Sequence, residues 1–313
     1  MKNILFTFAL ALVASSALAQ AEKNAPTTQK SEAAMKAEHY EQAAMSGDAE
    51  AQCLLGLCYA GGLGVEQNDP KAFEWFRKAA EQGHAKAQCC LGWAYEHGEG
   101  VGKDAVKAFE WYRKAAEQGD CIAQCCLGNC YRDGIGVDRD AKKAVAWYRK
   151  SAEQGESEAQ NNLGVCYGRG FGVGRDAKKA FEWLQKSAEQ GYAQAQYNLG
   201  GCYLTGNGVK RNPAKAVEWF RKSAEQGDAD AQYRLGGCYA GGNGVKQDLT
   251  KAFEWFRKSA EQGHAFAQHD LGVCYINGDG VSRDINEAVK WYKKAAEQGL
   301  PQARERLEEI QNQ

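Results

Sequence analysis

Apolar and small residues recur along the chain with the spacing of an α-helix, in two kinds of stretch that alternate. In the first kind, Ala51, Leu55 and Tyr59 fall one helical turn apart and therefore share one helix face. In the second kind, apolar residues stand at positions i, i+1, i+3, i+4, i+7 and i+8 from Ala72 to Ala80, which makes a broad apolar stripe. The pattern predicts two amphipathic helices joined by a turn.

This pair of helices repeats seven times with a period of 36 residues and no insertion. A Leu-Gly pair marks the first helix, beginning at Leu55, Leu91, Leu127, Leu163, Leu199, Leu235 and Leu271, and a tryptophan marks the second, at Trp75, Trp111, Trp147, Trp183, Trp219, Trp255 and Trp291. Because one hairpin cannot bury its own apolar face, the repeats must stack. The predicted fold is all-α, a right-handed α/α superhelical solenoid of stacked helix–turn–helix hairpins.

Glycine and capping residues mark the ends of the predicted helices. Gly62 follows the first helix, where glycine tolerates the left-handed conformation common after a helix C-terminus. The second helix follows a column of Asn or Asp, which are strong N-caps: Asn68, Asp104, Asp140, Asp176, Asn212, Asp248 and Asp284. Gly56 lies within the first helix at a cost of about 1 kcal/mol relative to alanine. We therefore expect a neighbouring helix to approach there, with Trp75 or Phe76 over the bare backbone.

The beginning of the chain differs from the repeats. A basic start at Lys2, an apolar run over residues 4–13 and an Ala-x-Ala motif at residues 17–19 are typical of a secretory signal peptide. The apolar run is too short to span a bilayer, so we expect cleavage near Ala19 and a periplasmic or secreted protein. The predicted organisation is a signal peptide at 1–19, a disordered leader at 20–34, an N-terminal capping helix at 35–47, seven repeats at 48–299 and a C-terminal capping helix at 300–313.

The charge is nearly balanced, with 39 basic residues, 40 acidic residues and a formal net charge of −1. Charges of both signs are interspersed, so no surface for nucleic acid or an anionic membrane is predicted. No segment after Gln20 is apolar enough to insert into a membrane. The recurrent G-x-G-V segments follow a helix, whereas a phosphate-binding loop follows a strand, so no cofactor is predicted.

Twelve cysteines are the residues most able to carry chemistry. Six share a column on the helix face of Ala51 and Leu55, where a small polarizable core residue is expected: Cys58, Cys130, Cys166, Cys202, Cys238 and Cys274. The other six lie in the first three repeats: Cys53, Cys89, Cys90, Cys121, Cys125 and Cys126. An even total in an exported chain is compatible with disulfides. The sequence does not assign partners, and pairs one helical turn apart, Cys121–Cys125 and Cys126–Cys130, would be strained.

Neither a metal site nor a catalytic site is predicted from these residues. Cys121 and Cys125 point roughly 100–140° away from the other two cysteines of their helix, so the four thiols cannot converge on zinc. His84 and His264 begin their repeats in a turn and are expected to be solvated. No Ser or Cys has a recurrent His with an acidic partner beside it.

The repeat unit resembles the Sel1-like repeat family, a relative of the tetratricopeptide repeats with a longer turn between its helices. The resemblance extends from Asp48 to Gly299, and it implies an adaptor that holds peptides or partner proteins and has no catalytic residue shared across the family. The matching residues in the first repeat are Ala51, Leu55, Gly56, Tyr59, Gly62, Gly64, Val65, Ala72, Trp75, Ala79, Ala80 and Gly83.

One branch of that family consists of secreted, cysteine-rich bacterial proteins, some described as penicillin-binding or weakly β-lactamase-like. The resemblance to this branch implies an alternative function, the binding of cell-wall ligands or a weak β-lactamase-like hydrolysis. In the branch, disulfides join two cysteines eight residues apart. The equivalent positions here, Ala80 with Gln88 and Ala116 with Gln124, hold no cysteine, so the disulfide pattern of the branch is not reproduced.

Positions that vary between repeats are where recognition can be encoded. On the first helix of each repeat, the face opposite Leu55 is expected to line a concave groove that is apolar, aromatic and poor in charge. Aromatic side chains are common anchors of protein interfaces. We predict an exported, non-enzymatic protein-interaction scaffold whose protein or peptide partner contacts six residues of this face: Trp93, Tyr197, Leu204, Tyr233, Phe266 and His269.

Overall fold

The computed structural model describes residues 32–311. In this range the chain forms sixteen α-helices and no β-strand. The chain divides into two compact units, with the boundary between Glu156 and Ser157. Within each unit consecutive helices pack against each other, which confirms the predicted all-α fold of repeated helical hairpins.

The first unit, unit 1, contains one helix followed by three hairpins. We call α2, α4 and α6 its first helices and α3, α5 and α7 its second helices. The bounds are α1 (Glu32–Met45), α2 (Ala49–Gly61), α3 (Asp69–Glu81), α4 (Ala85–His97), α5 (Ala105–Glu117), α6 (Cys121–Asp133) and α7 (Ala141–Glu153).

The second unit, unit 2, contains four hairpins followed by one helix. Its first helices are α8, α10, α12 and α14, and its second helices are α9, α11, α13 and α15. The bounds are α8 (Ser157–Arg169), α9 (Ala177–Glu189), α10 (Ala193–Thr205), α11 (Pro213–Glu225), α12 (Ala229–Gly241), α13 (Leu249–Glu261), α14 (Ala265–Asn277), α15 (Ile285–Glu297) and α16 (Pro301–Gln311).

Helices α1 and α16 occupy the places of the two predicted capping helices. Helix α1 begins at Glu32, so residues 32–34 belong to it and not to the predicted leader. In α16, Ala303 is buried and most other side chains are exposed, as expected of a helix with one packed face. The predicted signal peptide at 1–19 lies outside the described residues, as do 20–31 and 312–313.

A glycine in the middle of each first helix lies directly under a side chain of the second helix. A Cβ atom placed on Gly56 would lie 2.6 Å from Cε1 of Phe76. Phe76 is therefore the residue over the bare backbone, and Trp75 is not. This close contact between helices offsets the poor helix propensity of glycine. The corresponding side chains in the other repeats are Tyr112, Tyr148, Leu184, Phe220, Phe256 and Tyr292.

The predicted helix ends are confirmed. Oδ1 of Asn68 accepts a hydrogen bond from the backbone N–H of Lys71 at 3.0 Å. An Asp or Asn makes the same bond at the start of each of the six remaining second helices. Gly62 follows α2 with a φ of 66°, in the left-handed region that glycine tolerates. These caps determine where the turn of each hairpin begins and ends.

Two columns of glutamine make hydrogen bonds that the sequence pattern did not reveal, one kind within a repeat and one kind to the preceding repeat. Gln232 is buried, and its Nε2 donates to the carbonyl of Ala224 at 3.1 Å. Its Oε1 accepts a hydrogen bond from Nε2 of Gln262 at 2.8 Å. Both ends of the buried amide are thus satisfied, as burial of a polar group requires. The same pairs, at 2.7–2.8 Å, are Gln52–Gln82, Gln88–Gln118, Gln124–Gln154, Gln160–Gln190, Gln196–Gln226 and Gln268–Gln298.

The substitution Gly200→Ala on α10 tests the close contact between the helices of a hairpin. The added methyl group would lie 2.6 Å from Cδ1 of the buried Phe220, so α10 and α11 would have to separate. We expect overpacking to cost about 1–3 kcal/mol, which outweighs the gain of about 1 kcal/mol in helix propensity. Urea unfolding followed by circular dichroism should show a lower midpoint.

Gly201→Ala is the matched control, because Gly201 is the next residue on the same helix and a Cβ there meets no atom within 4 Å. We expect its unfolding midpoint to rise. Shifts of the same sign and size in the two variants would show that close packing is not the reason for glycine at position 200.

Candidate functional site

Neighbouring first helices contact each other through pairs of side chains 37 residues apart. Nδ2 of Asn198 donates a hydrogen bond to Oδ1 of Asn161 at 2.9 Å. In the same relation, the interaction of Arg234 with Tyr197 raises the pKa of Arg234. The face that varies between repeats therefore lies partly at the contact between first helices. We call these contacts the inter-repeat pairs: Cys53–Cys90 and Cys89–Cys126 in unit 1, and Asn161–Asn198, Tyr197–Arg234 and Tyr233–Asp270 in unit 2.

We call three neighbouring rings the aromatic cluster of unit 2: Tyr233 on α12, His264 just before α14 and Phe266 on α14. The ring of Tyr233 stacks on that of His264 with centroids 4.7 Å apart, and the Phe266 centroid lies 6.4 Å from that of Tyr233. Burial raises the pKa of Tyr233 to about 12, and the charge and hydrogen bond of Asp270 add to this. Phe266 is 54% exposed, so the cluster presents one open aromatic ring that packed neighbours support.

The structure places five of the six predicted contact residues in unit 2, and it makes four of them partly buried: Tyr197, Leu204, Tyr233 and His269. Tyr197 packs on Phe220, and Leu204 packs against the hydrophobic core. Nδ1 of His269 lies 2.8 Å from Oδ1 of Asp270, which also bonds Tyr233. The three side chains of His269, Tyr233 and Phe266 thus lie close together. Each is partly packed against neighbouring residues and partly exposed to solvent.

Trp93, the sixth predicted contact residue, lies in unit 1 and is 8% exposed. Its ring stacks on that of His97, one turn later on α4, with centroids 3.7 Å apart. Among the described residues its Nε1 has no hydrogen-bond partner. Trp93 is therefore a packed side chain in this structure and does not offer the open ring that the sequence pattern led us to expect.

Unit 1 carries a cluster that the sequence pattern did not assign, which we call the thiol cluster: Glu50, Cys53, His84 and Cys90. Nδ1 of His84 accepts the backbone N–H of Ala87 at 3.2 Å, so the ring proton lies on Nε2 and is donated to Oε2 of Glu50 at 2.7 Å. Cys53 interacts electrostatically with both Cys90 and His84. Cys53 is 0% exposed and Cys90 2%, so the cluster joins two repeats at a buried position.

The surroundings of Cys53 favour its ionised form. The hydrogen bond with Cys90 and the nearby His84 lower the pKa of Cys53 to about 6, although burial acts in the opposite direction. The hydrogen bond with Cys53 raises the pKa of His84, and the bond to Glu50 adds to this. An ionised Cys53–His84 pair needs a second ring proton, on Nδ1, so the ion pair and the cap bond to Ala87 compete for that nitrogen.

The second thiol pair, Cys89–Cys126, repeats this contact without a histidine. Asp120 occupies the N-cap position of α6 that His84 occupies in α4. The hydrogen bond with Cys126, burial and the negative charge of Asp120 all raise the pKa of Cys89. Cys89 is 3% exposed and Cys126 7%. The two thiol pairs are therefore buried alike and differ in the charge beside them.

The six-cysteine column belongs to the core, as predicted, since all its members are buried. Burial raises the pKa of Cys58 to about 11 and that of Cys274 to about 12. Raised pKa values and burial make such thiols unreactive. None of the twelve cysteines, all of which lie within residues 32–311, belongs to a disulfide in this structure, and the pairs Cys53–Cys90 and Cys89–Cys126 join different helices instead of lying along one.

The expectation that His84 and His264 are solvated is wrong. Their side chains are only 18% and 16% exposed. Each Nδ1 accepts a backbone N–H three residues later, and each Nε2 lies close to a carboxylate, of Glu50 or Asp230. The residues that precede the first helices form a column, and this column identifies the two histidines as caps, because other repeats hold an aspartate N-cap at that position.

Residues 32–311 contain no group of three or more His, Cys, Asp or Glu side chains arranged to hold a metal ion. Over the same residues, every helix is too short or too polar to traverse a bilayer. The aromatic cluster of unit 2 and the thiol cluster of unit 1 are the two features of interest for binding and reactivity.

The Sel1 repeat family model matches the chain seven times, over residues 49–84, 85–120, 122–156, 157–192, 193–228, 229–264 and 265–300. These matches begin just after the N-cap residues of the first helices and cover the predicted seven repeats at 48–299. No curated protein matches the chain.

Two solved structures with the same fold are more than a third identical in sequence to this chain. A protective antigen present in uropathogenic Escherichia coli strains, displaying an SLR fold, is 42% identical with a TM-score of 0.74, and the match covers 87% of this chain and 58% of that one. A Sel1 repeat protein from Oxalobacter formigenes is 38% identical with a TM-score of 0.70, covering 88% of this chain and 80% of that one. This chain thus spans less than two thirds of the first relative.

Within each unit, hairpins of constant length stack through the same contacts, which defines a helical-repeat protein. The chain belongs to the Sel1 repeat family. Proteins of this family are in general non-enzymatic scaffolds that mediate protein–protein interaction.

The cap formed by His84 can be tested with two substitutions. His84→Ala removes the acceptor for the Ala87 N–H and should lower the free energy of unfolding by about 1 kcal/mol. His84→Asp keeps a capping oxygen, like Asp120 in the next repeat, and should stay within about 0.5 kcal/mol of the unsubstituted protein. Urea unfolding at pH 7 measures both. Equal stability of the alanine variant and the unsubstituted protein would rule out a stabilising cap.

Proposed function

We propose that the chain is an exported scaffold that holds a protein or peptide segment against the aromatic cluster of unit 2, with Tyr197, Leu204 and His269 beside it. The observation that carries this proposal is Phe266, a large aromatic side chain left more than half exposed over the stacked rings of His264 and Tyr233. An aromatic ring held by packed neighbours loses little conformational freedom on binding, which suits it to anchor a partner.

The charges around the cluster support a particular kind of partner. Asp230 lies 3.2 Å from Nε2 of His264 and its side chain is 58% exposed. Asp270 pairs with both His269 and Tyr233. A segment that places an apolar side chain on Phe266 and a basic side chain near these carboxylates would complement both features.

The inter-repeat pairs support unit 2 as the binding unit. In unit 1 these positions hold buried thiols, whose small side chains offer little contact area. In unit 2 one pair consists of two asparagines, and the other two pair a tyrosine with a charged residue, which combines apolar area with hydrogen-bonding groups. The same scaffold therefore presents recognition side chains in unit 2.

Photo-crosslinking tests the proposed surface. Phe266→p-benzoylphenylalanine places a light-activated group at the cluster without removing its aromatic ring, and it should yield a specific covalent adduct in cells that produce the chain. Adding Tyr233→Ala removes the supporting ring and should reduce the adduct at least about fivefold, which corresponds to the 1 kcal/mol typical of an important interface residue.

The matched control is Leu249→p-benzoylphenylalanine, because Leu249 is another exposed apolar residue of unit 2 but lies on a second helix. The same adducts in the same yield from both positions would argue against a defined surface. So would an adduct unaffected by Tyr233→Ala in a protein whose circular dichroism is unchanged.

The export part of the proposal rests on the sequence pattern of residues 1–19. When the full chain is produced in a Gram-negative bacterium, we expect the mature protein in the periplasm or medium with its N-terminus near Gln20. Intact-mass measurement of each cell fraction checks this. A cytoplasmic product that retains residues 1–19 would contradict export.

A further inference from the structure

We propose that Cys53 and Cys90 form a redox-active dithiol in which Cys53 attacks a small disulfide, Cys90 resolves the mixed disulfide and His84 favours the attack. The site is the thiol cluster of unit 1, and the ligand class is a low-molecular-weight disulfide. The inference is independent of the partner surface in unit 2.

The geometry of the pair is supported by equivalent positions elsewhere in the fold. Asn161 and Asn198 stand in the same relation as Cys53 and Cys90, and their side chains are hydrogen-bonded at 2.9 Å. Cys53 and Cys90 occupy those two positions in unit 1, and each thiol alters the pKa of the other. The fold thus places the two thiols at neighbouring positions on adjacent first helices, and we propose that side-chain adjustment brings the sulfurs to a bond of about 2.05 Å.

The contact between Cys53 and His84 also has an equivalent. Tyr233 occupies the position of Cys53 in its own repeat, and its ring stacks on His264, the histidine N-cap of the next first helix, at 4.7 Å. The residue at this position therefore touches the N-cap of the following repeat. In unit 1 this places an imidazole against Cys53 and a carboxylate, Asp120, near Cys89.

The charges around each thiol distinguish their roles. Cys53 faces His84, with Glu50 behind it. Cys90 lies beside Cys53, and the negative charge of Asp120 opposes its ionisation while the positive charge of Lys86 favours it. Because a thiolate is the attacking form of cysteine, we assign the attack to Cys53, which has the imidazole beside it, and the resolving step to Cys90.

The reaction is a thiol–disulfide exchange in two steps. The Cys53 thiolate attacks one sulfur of R–S–S–R, a Cys53–S–R bond forms, and R–S⁻ leaves and takes up a proton. Cys90 then gives up its proton and attacks the Cys53 sulfur, and the second R–S⁻ leaves and is protonated. The two protein thiols are oxidised to one disulfide, and the external disulfide is reduced to two R–SH.

Burial alone would predict the opposite order of reactivity. Cys89 and Cys126 are slightly more exposed than Cys53 and Cys90, and both pairs require local opening between first helices before a reagent can enter. A faster reaction at Cys53–Cys90 must then come from the histidine or from easier opening between α2 and α4. Variants at the two N-cap positions separate these causes.

The test uses the reduced full chain and bis(2-hydroxyethyl) disulfide, a small uncharged probe, at pH 7. Alkylation of the remaining thiols at timed intervals, followed by peptide mapping with mass spectrometry, measures each disulfide. We expect the Cys53–Cys90 disulfide to form at least about tenfold faster than Cys89–Cys126. The ratio should shrink as the pH rises above about 9, where ordinary thiols also ionise.

The N-cap variants provide the matched controls, since both residues can cap a helix. His84→Asp should slow formation of Cys53–Cys90 to the rate of Cys89–Cys126. Asp120→His should accelerate Cys89–Cys126 by a similar factor, which a merely structural role of the histidine would not produce. Circular dichroism and urea midpoints check that both variants remain folded.

Cys90→Ser tests the resolving role, and we expect the reaction to stop at a mixed disulfide on Cys53. The proposal is overturned if the two thiol pairs react within about twofold of each other, or if both folded N-cap variants leave the rates unchanged. It is also overturned if the probe accumulates on Cys53 while Cys90 is present and free.

Discussion

The structure depends on the contact between a glycine in each first helix and the side chain of the second helix that covers it. A Cβ atom at that position would lie 2.6–2.8 Å from the nearest side-chain atom in all seven repeats. The absence of a side chain on glycine therefore lets the two helices of each hairpin pack at the same short distance. With that distance the same in every repeat, equivalent residues face the following repeat within each unit. The glutamine pairs within each hairpin and the inter-repeat pairs between hairpins both require this regularity.

The local features of the fold could be predicted from the sequence, whereas its long-range contacts could not. Helix spacing, the 36-residue period and caps such as Asn68 and Gly62 are properties of neighbouring residues, so they are visible in the sequence. The bond between Gln232 and Gln262 joins residues thirty positions apart, and it depends on how each helix is rotated about its axis. The unchanging glutamine columns are visible in the repeat, but the sequence does not show what they bond.

The same limit explains the outcome for the candidate site. Variation between repeats drew attention to Tyr233 and Phe266, which lie in one cluster. It could not reveal that Trp93 stacks on His97, because the direction of a side chain on a helix face depends on the packing around it. His84 looked like a turn residue when considered alone, and comparison with the aspartates of its column was needed to identify a cap.

An inter-repeat pair belongs to two repeats at once, since each partner comes from a different hairpin. Exchanging one whole hairpin for another would therefore alter the pairs on both of its sides, even if every residue within it suited its own core. For protein engineering, the junction between hairpins is the smallest portion that can be transplanted with its chemistry intact. A designer moving the thiols of Cys53 and Cys90 to a new array would need to carry both halves of that junction together.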